Sequence, residues 1–274
     1  MPESLTATVI DKNHSQLENT TLIQVDHPED FDGVTLKQNL AMGKKNIMRY
    51  LESFAKRLVP EQLPNGLAGK NSVFSLMITM FLFAVASFVV ITQTPTYLMY
   101  RFHWPDSKLS SLYTIAGISR LISLTFLLPI VKRLAPRSVL TDPVASINFD
   151  LKVVVVGLLI ETFTFFMYGI TPVGEGFYLG AIISSIGTMF SPAVRGIITQ
   201  SVAPELLGST MGTLATFESL AFIGAPLLSG LLYGATLETW PSAVFYVAGI
   251  LSLVSTLFVL FIYIRHARSM HHRY

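Results

Sequence analysis

The chain has 274 residues, 51% hydrophobic and 13% charged, with a formal net charge of +2 at pH 7 and a mean hydropathy of +0.55. Soluble domains carry about 25% charged residues, and here the deficit is local. Residues 1–70 are mostly polar while 71–264 hold long uncharged runs, the pattern of an integral membrane protein with a soluble leader. The small net charge argues against nucleic acid as a partner, and the lack of cysteine excludes disulfides, thiol catalysis and cysteine metal sites.

The amino terminus, MPESLTATVIDKNHSQ, lacks the basic start and apolar core of a cleaved signal. The first span is therefore expected to act as its own insertion signal. Residues 1–34 are acidic and polar and read as disordered. The sequons beginning at Asn13 and Asn19 would matter only on a lumenal leader.

Residues 35–70 form a linker with a helical pattern. Leu36, Leu40, Ile47, Leu51, Phe54 and Leu58 recur along one helix face. Lys37, Lys44, Lys45, Arg49, Lys56 and Arg57 lie largely off it, and Pro60, Pro64 and Gly66 break it. This amphipathic helix would pack on the cytosolic side of the protein or rest on anionic headgroups.

Six apolar segments follow at 72–94, 109–131, 153–171, 177–199, 208–233 and 241–264. Each has about the 20 residues that an α-helix needs to cross the hydrocarbon core, and lipid demands helices because it cannot satisfy free backbone groups. The loop 132–152 holds Lys132, Arg133, Arg137 and Lys152, and the tail 265–274 holds Arg265, Arg268 and Arg273. The opposite loops hold only Arg101 and Lys108. The positive-inside rule then places both termini in the cytosol. Tyr97, Tyr100, Phe102, Trp104, Tyr233 and Trp240 would form the outer aromatic belt.

All six histidines (His14, His27, His103, His266, His271 and His272) fall outside these segments, as do all aspartates. No metal cage, cofactor or membrane-enzyme dyad is expected, and the protein is not read as an enzyme. Four ionisable residues do fall within the spans: Arg120, Glu161, Arg195 and Glu218. A charge at a helix centre costs roughly 2.5–3.5 kcal/mol on insertion scales, so such residues face protein or an aqueous cavity. Arg120, Glu161 and Glu218 lie near the midplane, and Arg195, in TMFSPAVRGIITQ, is shallower. Arg120 and Glu218 are expected to meet at one level with Arg195 a turn or two below. These three read either as ion pairs that fix packing or as an anion-binding or proton-coupled site. Glu161 reads first as packing, with a substrate or coupling role as the lesser alternative, and Arg195 could also snorkel to the interface.

Gly208 and Gly212 form a GxxxG pair expected to let another backbone come close. Gly224, Pro226 and Gly230 should bend or loosen the fifth helix. Arg120 precedes Pro129 by nine positions, and Glu218 precedes Pro226 by eight. This echo sits in matching helices of two successive triplets of opposite orientation, the plan of inverted-repeat transporters.

The run SPAVRGIITQSVAPELLGSTMGTLATFESLAFIGAPLLSGLLYGAT at 191–236 resembles the tenth and eleventh helices of the major facilitator superfamily, above all fungal general-substrate members and the proton-coupled folate and haem carrier branch. The run YLMYRFHWPDSKLSSLYTIAGISRLISLTFLLPIVKRL at 97–134 is similar to its seventh-to-eighth-helix region. The resemblance implies roles for an arginine at Arg120, for Arg195 after Pro192, and for an acid at Glu218, with Arg195 linked to substrate and proton coupling. It gives Glu161 no counterpart. The stretch LLPIVKRLAPRS lacks the Asp and Gly of the family's loop motif, so a charge relay there is not expected.

The fold class expected is thus all-α: six transmembrane helices as two inverted three-helix repeats, half of a major facilitator fold, behind a cytosolic amphipathic helix. Function follows as a secondary transporter or its carboxy-terminal half, moving a small solute, with an anionic solute and proton coupling as the finer expectation. Its partners would be the lipid bilayer, the solute, and an amino-terminal six-helix half or a homodimer mate. The alternative is a non-transporting truncated or adaptor membrane protein. Plasma membrane and vacuolar or other endomembrane both stay open.

Overall fold

The computed structural model describes Leu67, residues 72–134 and residues 142–271. The acidic leader, the amphipathic helix across 36–58 and the end of the basic tail lie outside the described residues. Among the described residues six helices are long and apolar enough to cross a membrane, and there is no strand. They are α1 (Ser72–Phe102), α2 (Asp106–Arg133), α3 (Pro143–Ile170), α4 (Gly176–Ser201), α5 (Pro204–Thr236) and α6 (Ala243–Arg268), the last helical on to His271. The chain is an all-α, multi-pass integral membrane protein.

Most of the helices run past the apolar segments that announce them, because backbone hydrogen bonding continues until a stop signal intervenes, not where hydropathy falls. α3 starts ten residues before its expected edge. Pro143 occupies its first turn, where no N–H is needed, and the Asp142 carboxylate caps it by accepting from the Val144 N–H at 3.0 Å. Asp150 therefore lies inside a span, 3% exposed, which corrects the expectation of none. α6 likewise continues through Arg265 and buries His266, so one histidine also lies within a span.

α6 packs on α3 and α1, α4 packs on α3, α2 leans on the first half of α4, and α5 leans on α1. Burial follows this pattern. Only 6% of the apolar window of α2 and 22% of that of α5 are buried, against 39–50% for the other four. Two helices thus flank a four-helix core and present wide open faces. At one end of that core Tyr168 stacks on Phe177 at 4.5 Å, and Phe245 meets Tyr97 edge-on at 5.0 Å. Midway, Phe83 meets Phe190 at 4.4 Å.

The α1–α2 corner turns on His103, whose φ of 52° is left-handed. That turn drops Trp104 against Tyr178, with Lys108 over its ring, and Lys108 reaches Glu175 at 3.5 Å. A Cβ on Gly174 would lie 2.6 Å from the indole nitrogen, so the α3–α4 loop fits Trp104 only as glycine. Trp104, Tyr97 and Tyr233 are buried between helices rather than placed in an exposed belt, while Trp240 is exposed.

Two of these helices depart from regularity. In α2 a π-helical turn spans Ser123–Leu127, immediately before Pro129. Proline lacks an N–H and its ring collides with the preceding turn, and the wider turn relieves both. α4 breaks at Thr188 and Met189, where the Thr188 hydroxyl donates to the Ser185 carbonyl at 2.7 Å. α5 stays one helix through Pro226.

α3 crosses α4 at close range at Gly157 and Gly187. A Cβ on Gly157 would sit 2.7 Å from the Gly187 carbonyl oxygen, and one on Gly187 would sit 2.8 Å from Glu161 Cγ. Gly208 and Gly212, expected to make such an approach, have nothing within 4 Å of a built Cβ, and the same holds for Gly117, Gly224, Gly230 and Gly234. The reason is their placement on α2 and α5, the two helices with open faces.

Candidate functional site

Arg195 follows Pro192 on the second half of α4, and Glu218 sits midway along α5. Arg195 Nη2 donates to Glu218 Oε1 at 2.6 Å, with side-chain exposures of 43% and 30%. This charge-assisted bond spans two helices that otherwise pack on different neighbours, α4 on α3 and α5 on α1. It corrects the expected Arg120–Glu218 pairing. Arg120 and Glu218 share a depth in sequence, but α2 is held against α4 and α5 against α1, so depth alone does not bring them together. Arg195 also holds its own helix, its carbonyl accepting from Thr199 Oγ1 at 2.8 Å.

Arg120 instead lines a cavity of about 320 Å³ between α1, α2, α3 and α4. Glu161 faces the same cavity and is 3% exposed. Its Oε2 accepts from Ser184 Oγ at 2.9 Å. Arg120 and Glu161 form no ion pair among the described residues. The Gly157–Gly187 crossing brings α4 onto this carboxylate, and Ser123, in the π turn, meets Ser185 at 3.3 Å beside it. Glu161, for which packing is the favoured reading of the sequence and a coupling role the lesser one, borders this cavity. The sequence signal was available: glycines at Gly157, one turn before the acid, and at Gly187, three residues after Ser184.

A third polar cluster occupies the end of the bundle carrying Arg133. Buried Asp150 Oδ1 lies 3.8 Å from Lys132 Nζ, and its Oδ2 accepts from Gln200 Nε2 at 3.4 Å. The stretch LLPIVKRLAPRS lacks an acid of its own, and Asp150 on α3 supplies one, tying the ends of α2, α3 and α4 together. Close to this end the Leu67 N–H donates to Ser201 Oγ at 3.1 Å. Among the described residues no group of histidine, aspartate or glutamate could hold a metal ion.

Parts of the chain are similar to known proteins. Residues 143–273 match the family model described as Major Facilitator Superfamily. The chain is 23% identical over 208 residues to the MFS-type transporter avaJ of Aspergillus versicolor, a match covering 72% of this chain and 40% of that protein. Its fold aligns with the crystal structure of the human organic anion transporter MFSD10 (TETRAN) at a TM-score of 0.58 and 17% identity. That match covers 69% of this chain and 41% of the human one, and at this identity it establishes the fold. The chain spans about two-fifths of the length of these relatives.

Proposed function

We propose that this chain, which carries a Major Facilitator Superfamily domain, acts as the carboxy-terminal half of a secondary transporter for a small organic anion. The observation that carries this reading is the half-exposed Arg195–Glu218 pair on an incompletely packed side of the bundle. A guanidinium in a membrane helix is costly facing lipid and useful facing a wet crevice. The solute's carboxylate replaces Glu218 on Arg195 through the same planar fork of donors, and the released Glu218 carries the coupled proton. The description of the human relative as an organic anion transporter agrees with this chemistry.

One bundle cannot enclose the site. A second six-helix unit, an amino-terminal half or a second copy, covers the open faces of α2 and α5, where six glycines leave room for close backbone approach. Rocking of two bundles about Arg195 and Glu218 then gives alternating access, with the two triplets as inverted repeats and both termini in the cytosol. The test is uptake of small carboxylates into proteoliposomes holding the chain and its partner half. Arg195→Gln is expected to abolish uptake while leaving the helical circular dichroism intact. Uptake equal to wild type in that variant overturns the assignment.

A further inference from the structure

We infer that the cavity between α1, α2, α3 and α4 binds an α-amino acid with an apolar side chain, its carboxylate on Arg120 and its ammonium on Glu161. On α4 the last lining residue is Thr188, seven positions before Arg195 and at the break in that helix. The site is therefore separate from the Arg195–Glu218 pair, and the inference is independent of the transport reading.

Helix register gathers the charges at one end of the cavity. Glu161 on α3 accepts from Ser184 on α4 at 2.9 Å, and Ser123, one turn after Arg120 on α2, meets Ser185 at 3.3 Å. The other end is aromatic and apolar. There the Tyr113 hydroxyl donates to the Ile91 carbonyl at 3.4 Å, and Tyr168 stacks on Phe177 at 4.5 Å. Tyr113 precedes Arg120 by seven residues and Tyr168 follows Glu161 by seven, about 10 Å of helix in each case. Val90, Leu112 and Phe165 line the apolar stretch.

Neither charge is neutralised by the protein. Buried Asp150 has both a lysine and an amide donor, whereas Glu161 is equally buried and has one hydroxyl. The Arg120 guanidinium has no ion-pair or hydrogen-bond partner among the described residues. It acts on Glu161 across the cavity from beyond ion-pair distance. The remaining hydrogen-bonding capacity is of both kinds. The guanidinium and the uncommitted Ser87 and Tyr168 hydroxyls can donate, while Thr94, Ser185 and Thr188 donate to backbone carbonyls and can only accept. A lone anion or a lone cation would meet one attraction and one repulsion. A zwitterion satisfies both walls, its carboxylate matching the planar guanidinium fork. Because both walls are charged at the same end, the ligand needs its own charges close together, with an apolar group projecting from between them. An α-amino acid has that form. The volume, about 320 Å³, is at the small end of the range for ligand pockets.

The test is calorimetric titration of the purified full chain in nanodiscs with L-leucine and, separately, with leucinamide and 4-methylpentanoate, each corrected for empty nanodiscs. The two analogues lack the carboxylate and the ammonium respectively. Gly117 lines the cavity and has nothing within 4 Å of a built Cβ, so Gly117→Leu should fold normally and fill the site. Binding that survives in that variant belongs elsewhere, including any acid held at Arg195. Wild type is expected to bind leucine at the Gly117-sensitive site at least about tenfold more tightly than either analogue. Arg120→Gln and Glu161→Gln should each weaken leucine about tenfold to a hundredfold. Arg120→Gln should then favour leucinamide over leucine, and Glu161→Gln should favour 4-methylpentanoate, a reversal that a packing role would not produce. The comparison of ligands on wild type and Gly117→Leu stays decisive where a charge variant fails to fold. Absence of leucine binding by wild type, leucine binding that persists in Gly117→Leu, an analogue bound there as tightly as leucine, or undiminished leucine binding in a folded charge variant overturns the inference.

Discussion

Replacing Gly157 by alanine tests the packing that places Glu161. A Cβ there would lie 2.7 Å from the Gly187 carbonyl oxygen, 2.8 Å from Phe190 Cβ and 3.3 Å from the Phe190 nitrogen. Two of these are backbone atoms and the third is a Cβ, so no side-chain rotation relieves the contact. Ordinary contact begins near 3.4 Å, and α3 and α4 must part by about 0.7 Å in an interior packed at crystal-like density. Overpacking of this kind costs typically about 1–3 kcal/mol, and rigid backbone neighbours put this case in the upper half of that range. Alanine regains up to about 1 kcal/mol of helix propensity over glycine, leaving a net loss of about 1–2 kcal/mol. Gly212→Ala is the control, since its Cβ meets nothing within 4 Å, and should keep the gain of up to about 1 kcal/mol. SDS unfolding of the purified full chain, followed by circular dichroism, gives both values. Gly157→Ala as stable as Gly212→Ala would refute the reasoning.

Other outcomes follow from the polar contacts. Arg195→Gln should abolish transport yet change stability by less than about 1 kcal/mol, because a part-exposed ion pair contributes little; exchanging the two residues (Arg195→Glu with Glu218→Arg) should partly restore uptake. Ser229→Ala removes the buried bond from Gln93 Nε2 at 2.9 Å between α1 and α5. It should cost on average about 0.6 and at most about 1.7 kcal/mol by the same SDS titration. The chain has no cysteine, so single Glu175→Cys and Arg133→Cys variants can be labelled cleanly. An impermeant maleimide should reach them from opposite sides of the membrane, and labelling of both from one side contradicts the proposed orientation.

Six spans and their order were legible because about 20 apolar residues in a row have few fates other than a bilayer. Helix ends were less so. Asp150 and His266 lie inside helices that capping and hydrogen bonding extend beyond the apolar runs, and hydropathy is blind to both. The charged site was half legible. Arg195 and Glu218 stood out as charges in oil, but their pairing depends on which helix leans on which neighbour, and depth along a span carries none of that. Glycine spacing misled in the same way. The pair at Gly208 and Gly212 has the familiar motif on an open face, whereas Gly157 and Gly187 lie on different helices and share no motif. The cavity beside Glu161 is made by four helices together, which no single run of sequence displays.

Water at the Arg195–Glu218 pair is what a transporter half requires of this bundle. Ala215 is exposed and lies three residues before Glu218 on α5, so a cysteine there reports on the same side of that helix. With the partner half present, an impermeant thiosulfonate should modify Ala215→Cys, and a spin label on it should be relaxed by a water-soluble nickel complex more than by oxygen dissolved in lipid. Modification by membrane-permeant reagents alone, with relaxation dominated by oxygen, would place the pair against acyl chains and contradict the account.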